Sequence, residues 1–188
     1  TATSLNNLAA LYQSMGRYDQ ALPLFQRSLA IREKALGPEH PDTAASLNNL
    51  AVLYQNMGRY DEALPLCQRA LATREKANGP EHPETATSLN NLAELYRNMG
   101  RHGQALPLFQ HALAIREKAL GPEHPKTATS LNNLAALYKT MGRTDEALPL
   151  QQRALAILAR HGQSPVELAM IRSEEHTPEL QSPCNLVC

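Results

Sequence analysis

A repeat of 42 residues constrains this chain of 188 residues more than any other feature. The string Leu-Asn-Asn-Leu-Ala begins at Leu5, Leu47, Leu89 and Leu131, and Gly-Pro-Glu-His-Pro begins at Gly37, Gly79 and Gly121. Periods of roughly 20–50 residues are typical of solenoids, in which each unit buries its apolar face against its neighbours. The chain is therefore expected to be an array of stacked units rather than one globular core.

Each repeat contains two predicted helices. The first helix of the first repeat carries one apolar stripe at spacings of three and four, formed by Leu5, Leu8, Ala9, Tyr12 and Met15. It should stop at Gly16, and a second helix should run from near Asp19 to Leu36, where Gly37 and Pro38 break it. The next first helix can open at Pro41, because a proline in the first helical position loses no hydrogen bond.

The predicted fold is all-α, a solenoid of about four antiparallel helix hairpins. We assign the repeats to residues 1–40, 41–82, 83–124 and 125–163, followed by a non-repeat tail over residues 164–188. Two departures stand out within the array. Gly103 replaces the aspartate found near the start of the other second helices, and Gln151 replaces the aromatic residue at Phe25 and Phe109. The fourth repeat should therefore pack less apolar bulk, as a terminal repeat does.

The tail differs from the repeats in pattern and in charge. Its last part, residues 172–188, resembles translated sequencing-adapter DNA, and the alternative is a genuine acidic tail. We expect it to be either disordered or an artefact. Residues 1–163 hold 17 Lys or Arg against 14 Asp or Glu, so the net charge of zero combines a mildly basic array with an acidic tail.

Composition excludes several classes of function. A chain without net charge offers no electrostatic basis for nucleic-acid binding, and no apolar run approaches the roughly 18–20 residues of a membrane span. Three cysteines, two of them in the tail, argue against a disulfide framework and favour a reducing compartment, hence the cytoplasm. The chain starts at a threonine with the repeat already in phase, which suggests that it is part of a longer polypeptide.

The repeat resembles a known family. The first 25 residues place Leu5, Leu8, Ala9, Tyr12, Gly16, Tyr18, Ala21 and Phe25 in the pattern of the tetratricopeptide repeat. The 42-residue period and the segment Ala-Ile-Arg-Glu-Lys-Ala-Leu-Gly-Pro-Glu-His-Pro over residues 30–41 resemble its kinesin-light-chain-type subclass. The resemblance covers about residues 1–157. It implies a right-handed superhelix whose concave groove, lined by the first helices, binds peptides.

The paired asparagines are the strongest candidates for binding residues. Asparagine is a mediocre helix former, so its recurrence in mid-helix needs a reason, and its amide can pair with the backbone of an extended peptide. The resemblance implies that the first residue of each pair faces the groove: Asn6, Asn48, Asn90 and Asn132. The second residues would lie at the groove edge or bond between helices: Asn7, Asn49, Asn91 and Asn133. The alternative is that both sets only stabilise the stack.

Variable positions follow on the same face, one and two turns further along. Within a nearly identical background they are the positions that a partner-specific surface would use. They comprise Ala10, Val52, Glu94 and Ala136, then Gln13, Gln55, Arg97 and Lys139. Arg97 and Lys139 suggest an acidic peptide or a C-terminal carboxylate as ligand. The alternative is an ordinary solvated helix surface.

No catalytic or metal site is predicted, and no cofactor is implied. The loop histidines, His40, His82 and His124, lie one repeat apart, about 10 Å per packed helix, whereas Zn–N bonds are about 2.0–2.1 Å. We interpret them as loop and helix caps. Cys67 occupies the aromatic position of its repeat and is interpreted as a core thiol. The recurring serines, Ser4, Ser46, Ser88 and Ser130, assemble no Ser-His-Asp set.

Three functional hypotheses follow. The first is a non-catalytic scaffold that binds a peptide segment of a partner protein in the groove. The second is the cargo-binding region of a kinesin light chain, which would need an upstream heptad coiled coil. The third is the sensor arm of a larger signalling protein or nucleotide-switch ATPase, which would need a nucleotide-binding domain elsewhere in the polypeptide.

Overall fold

A computed structural model describes residues 1–162, and the predictions made for the tail over 164–188 and for its two cysteines lie outside them. The described chain contains eight helices. They are α1 (Ala2–Ser14), α2 (Tyr18–Leu36), α3 (Pro41–Asn56), α4 (Tyr60–Asn78), α5 (Pro83–Asn98), α6 (His102–Leu120), α7 (Pro125–Thr140) and α8 (Thr144–Arg160). The all-α prediction and the predicted first and second helices are confirmed.

A short turn closes each hairpin of a first and a second helix. In the first hairpin Gly16 has φ +70°, a left-handed conformation that glycine adopts without steric cost. The backbone N–H of Arg17 then donates to the carbonyl oxygen of Tyr12 at 2.9 Å. The same arrangement recurs at Gly58, Gly100 and Gly142. The chain reverses within three residues, which brings the two helices of a repeat into antiparallel contact.

A second type of connection joins one repeat to the next. His40 precedes the helix that begins at Pro41, and its Nδ1 accepts the backbone N–H of Asp42 at 3.1 Å. His82 and His124 do the same for Glu84 and Lys126. The capping interpretation of the loop histidines is therefore confirmed, because each one satisfies a backbone donor that the first helical turn leaves open.

The core lies between repeats as well as within them. Ala9, Ala21 and Phe25 of the first repeat are buried against Leu50 and Leu53 of the second. The next interface repeats this arrangement with Cys67 in place of the phenylalanine. The core-thiol interpretation of Cys67 is confirmed, and burial raises the pKa of its thiol to about 12. A side chain that stays protonated at neutral pH behaves there as a small apolar group.

The first helices form the inner layer of the stack. Each second helix packs on its own first helix and on the next one, and first helices also contact one another directly. Short side chains join the first helices: Asn49 Nδ2 donates to Asn6 Oδ1 at 2.9 Å. Long ion pairs join the second helices, as in Arg69 with Glu33 at 2.7 Å. The first helices of adjacent repeats are therefore closer to one another than the second helices are. In a curved stack the more closely spaced layer lies on the concave side, so the first helices line it.

The fourth repeat differs from the others in its second helix. Gln151 is half-buried at the aromatic position, and Leu158 is buried where the three earlier repeats carry arginine. In earlier repeats the aromatic residue or cysteine at the first position packs against the following repeat, and Arg32 and Arg116 at the second position hydrogen-bond to it. None of the helices in residues 1–162 is long and apolar enough to cross a membrane.

Candidate functional site

All the predicted binding residues lie in the first helices of the repeats, α1, α3, α5 and α7. The 42-residue period places each asparagine pair at the same height of its helix, so the pairs form two rows across the stack. Half-buried positions in these rows and on the same face are Asn6, Asn49, Asn91, Asn132, Asn133, Gln13, Gln55, Glu94 and Arg97, whereas Asn7 and Lys139 are exposed. Asn48 and Asn90 are the most enclosed.

The first asparagine of each central pair bridges two repeats. Asn48 is 7% exposed, and its Nδ2 donates to Ser88 Oγ at 3.0 Å. Asn90 is 5% exposed and donates to Ser130 Oγ at 3.2 Å. Their Oδ1 atoms, by contrast, are buried without a hydrogen-bond partner in the described structure. An unsatisfied buried acceptor costs about 1–3 kcal/mol, so these enclosed oxygens offset part of the stability that each bridge contributes.

These contacts bear on the two interpretations of the asparagine rows. Asn48, Asn49 and Asn90 all bond to the neighbouring repeat, so the proposed role in stabilising the stack has direct structural support. Contact with a peptide stays a prediction.

The central part of the groove is electrically neutral. Arg97 forms an ion pair with Glu94 one helical turn earlier, and both side chains are partly shielded from solvent. The arginine expected to attract acidic ligands is therefore already paired within its own helix. At the corresponding positions of α3 lie Val52, which is apolar, and Gln55, which is polar but uncharged. Polar but neutral groups dominate this part of the surface.

A second row of polar residues, which the sequence interpretation missed, lies behind the asparagines. In α6 the guanidinium of Arg116 donates to Ser130 Oγ at 2.9 Å, to the carbonyl oxygen of Lys126 at 3.0 Å and to Thr87 Oγ1 at 3.2 Å. Ser130 thus also receives the hydrogen bond from Asn90. The network fastens the second helix of one repeat to the first helix of the next.

The same type of network joins the first repeat to the second. Arg32 donates to Ser46 Oγ at 2.8 Å and to the carbonyl oxygen of Asp42 at 3.1 Å. Burial lowers the pKa of Arg116, and the charge of Glu84 opposes that shift. The signal was present in the sequence, because arginine and serine recur with the 42-residue period. Only the fold shows that they meet across a repeat boundary.

The serines and histidines have structural roles where the structure describes them. Ser46, Ser88 and Ser130 are buried acceptors of the network, and His40, His82 and His124 cap helices. In the part of the chain up to residue 162, no group of three His, Cys, Asp or Glu side chains could hold a metal ion.

Comparison with known proteins agrees with this architecture. The family profile described as tetratricopeptide repeat matches residues 1–60, 45–118 and 84–160. Two crystal structures of a putative kinesin light chain from Podosopora anserina with nearly identical TPR-like repeats, the second of a single-substitution variant, are each 32% identical over 92% of this chain, with a TM-score of 0.73. They are covered to 86% and 85% of their own length, respectively.

A third crystal structure shares the fold at lower identity. BtubC (BKLC) from P. vanneervenii is 25% identical over 100% of this chain and 70% of its own, again with a TM-score of 0.73. No curated protein matches the chain significantly in sequence. Together with the helix order, these matches confirm the predicted superhelical solenoid of helix hairpins and its kinesin-light-chain-like repeats.

Proposed function

The chain belongs to the tetratricopeptide repeat family, and from this premise we propose that it binds an extended peptide segment of a partner protein in its concave groove. Repeats of this family serve as protein–protein interaction scaffolds, which sets the class of function. The observation that supports the finer proposal is the row of first asparagines at one height of the first helices, in which Asn6 and Asn132 are only half-buried. An asparagine amide can both donate to and accept from the backbone of an extended peptide.

The chemistry of the groove favours main-chain contacts over charge. Arg97 is neutralised by Glu94, so acidic side chains should add less affinity here than backbone hydrogen bonds. The variable residues at Ala10, Val52 and Ala136 leave space for apolar or small side chains. An acidic partner remains a narrower proposal, restricted to the end of the groove near α7.

The asparagine row can be tested with a matched pair of variants. The probe is a fluorescein-labelled dodecapeptide selected from a random display library on the full chain. Asn48→Ala removes the amide that would contact the peptide, whereas Ser88→Ala removes only its bridging partner. We expect Asn48→Ala to weaken binding about tenfold, the equivalent of about one hydrogen bond, and Ser88→Ala to leave the affinity unchanged or slightly tighter.

Fluorescence anisotropy gives the two affinities, and circular dichroism shows whether each variant keeps its helices. Equal losses in both variants would mean that the asparagine acts only through the stack and would overturn its proposed role. A site-specific photo-crosslinker gives an independent check on location. Placed at Gln55 on the concave side it should capture the peptide, and placed at Gln68, exposed on α4, it should not.

A kinesin-light-chain type of cargo binding is the second candidate. It is supported by the 32% identity to the putative kinesin light chain repeats of Podosopora anserina. A motor subunit also needs a coiled coil for its heavy chain, so the decisive observation is a heptad segment in the same polypeptide. A reducing compartment is proposed for either candidate, because Cys67 is a buried free thiol within the described residues.

A further inference from the structure

The joints between consecutive repeats use the same positions of the repeat but not the same residues. We call the contact of the first repeat with the second the first joint, that of the second with the third the middle joint, and that of the third with the fourth the last joint. Several contacts that recur in the first and last joints are weaker or missing in the middle one. Each of them involves a side chain of a second helix, α4 or α6.

The apolar core of the middle joint lacks an aromatic ring. Phe25 and Phe109 fill the first and last joints, where each ring lies in a cluster that includes alanines of its own repeat and two leucines of the next. Cys67 occupies this position in the middle joint, among the equivalent alanines and leucines. A thiol makes fewer dispersion contacts than a phenyl ring, so less apolar contact holds α4 to α5.

The arginine network is also incomplete at the middle joint. In the first and last joints an arginine of the second helix donates to a serine of the next repeat, at 2.8 Å and 2.9 Å, respectively. Within residues 1–162 the equivalent Arg74 makes no hydrogen bond to Ser88, and its ion-pair contact is Glu84 at 3.8 Å. The middle joint therefore lacks a charge-assisted hydrogen bond that both other joints have.

The second helices are joined less tightly on the convex surface. An arginine of the later repeat pairs with a glutamate of the earlier one at 2.7 Å in the first joint and 2.6 Å in the last. In the middle joint His111 has the position of that arginine, and in the described residues it forms no ion pair with the corresponding Glu75. Its Nε2 lies 3.8 Å from Glu81 Oε1, whose carboxylate already pairs with Lys118 at 2.9 Å. A histidine side chain is shorter than arginine and has fewer N–H donors, so it does not replace the missing bridge.

A hydrogen bond between glutamine and tyrosine is missing from the middle joint as well. A glutamine of the second helix donates to a tyrosine hydroxyl of the next repeat at 3.3 Å in the first joint and at 3.5 Å in the last. No such bond joins Gln68 to Tyr96 in the part of the chain that the structure describes. Each of these differences is modest by itself, but all of them weaken the same joint.

The buried polar contact that the middle joint retains lies between the first helices. Asn48 of α3 donates to Ser88 of α5 at 3.0 Å, and both side chains are buried. The ion pair of Lys118 with Glu81 is exposed and adds little. The middle joint is therefore held firmly on the concave side and loosely at the second helices, which is the arrangement of a hinge.

We propose that the array bends at the middle joint, where the first two repeats rotate against the last two about the contact of Asn48 with Ser88. The helices keep their internal hydrogen bonds, while α4 and α5 separate and approach on the convex side. Because the axis lies beside the groove, the rotation changes the curvature of the groove between α3 and α5. The proposal concerns the unliganded chain, so it does not depend on peptide binding.

Double electron–electron resonance between two spin labels tests this motion in the full chain. The labels are attached to p-acetylphenylalanine, which leaves the cysteines unmodified, at equivalent exposed positions of the second helices. The first label pair replaces Ala30 and Ala114 and spans the first and middle joints. The second label pair replaces Ala72 and Ala156 and spans the middle and last joints. Bending at the middle joint broadens the distance distributions of both label pairs, whereas bending at another joint broadens only one.

The double variant Cys67→Phe with His111→Arg gives the middle joint the residues of the first joint. We expect it to narrow the distance distributions of both label pairs relative to the parent chain. His111→Arg alone, a surface substitution that leaves the core intact, should narrow both to a smaller extent. The matched control is Phe25→Cys, which should broaden the distribution of the first label pair and leave that of the second unchanged.

Circular dichroism shows whether each variant keeps its helices. Unchanged or broader distributions in the double variant, or narrowing in only one label pair, would overturn the proposal. If Cys67→Phe disrupts the helices, His111→Arg decides the question by itself, and widths equal to those of the parent chain would then refute a hinge at the middle joint.

Discussion

Gly103 shows how one residue weakens an otherwise regular repeat. It is the second residue of α6, where three other repeats carry aspartate, and it has an ordinary helical φ. A Cβ atom added there would meet no atom within 4 Å. Gly103 therefore raises the conformational entropy of the unfolded chain, although the folded chain does not need the flexibility of a glycine at this position.

We expect Gly103→Ala to raise the free energy of unfolding by about 0.5–1 kcal/mol, measured by urea denaturation. Gly103→Asp should do at least as well, because a carboxylate in the first turn favours the helix dipole. The control is Gly100→Ala, whose φ of +72° disfavours any side chain and should destabilise by about 1–2 kcal/mol. A loss of stability in Gly103→Ala would contradict the argument.

At the scale of the element, local signals decide where each first helix begins. Proline occupies the first position of α3, α5 and α7, and a histidine before it accepts a backbone N–H through Nδ1. The threonine two residues after each of these prolines adds a second hydrogen bond. In the first connection Thr43 Oγ1 donates to the carbonyl oxygen of Gly37 at 2.8 Å. The connection is thus fixed by the side chain of His40, just before the helix, and by that of Thr43, within it.

Removing one of these caps should have a measurable cost. We expect His82→Ala to lower the free energy of unfolding by about 0.5–2 kcal/mol, because the amide of Glu84 loses its acceptor. His82→Asn should retain most of the stability, since asparagine is also a good cap. Gln68→Ala, on the exposed surface of α4, serves as a control with an expected change below about 0.5 kcal/mol. Equal stability of His82→Ala and the parent would argue against capping.

At the scale of the whole molecule, stability depends on position in the stack. Interior repeats have neighbours on both sides, whereas α1 exposes its leucines and α8 has no described repeat beyond it. In an array held by contacts between nearest neighbours, the ends open more readily than the middle. The buried Arg–Ser–Asn networks tie adjacent repeats together and add geometric specificity to the apolar contacts.

Hydrogen exchange of the unmodified chain should reveal this gradient. We expect amides in the middle of α3 to α6 to exchange more slowly than those of α1 and α8, by about tenfold or more. Leu53→Ala, in a fully buried interface position, should cost about 2–5 kcal/mol and speed exchange on both sides of that interface, while Leu11→Ala should change little. Uniform protection along the array would instead indicate a single cooperative unit.

The period, the two helices of each repeat, their glycine and proline boundaries, the histidine caps and the core position of Cys67 could all be predicted from the amino-acid sequence. The period and the position of Cys67 follow from recurrence along the chain, whereas the helices, their boundaries and their caps depend on residues within a few positions of one another. The contacts between repeats became visible only in the folded stack. Asn48 meets Ser88 across 40 residues of sequence and Arg116 meets Thr87 across 29, contacts that no local pattern encodes.

The same distinction separates what was predicted of the groove from what was not. Its residues could be named from the recurrence alone, but their roles depend on which polar atoms the stack already satisfies. The fold paired Arg97 with Glu94, used the N–H groups of Asn48 and Asn90 in bridges, and left their oxygens without partners. Stacking also left Leu8 and Leu11 in solvent while it buried identical leucines one repeat later, because burial depends on the neighbour and not on the residue.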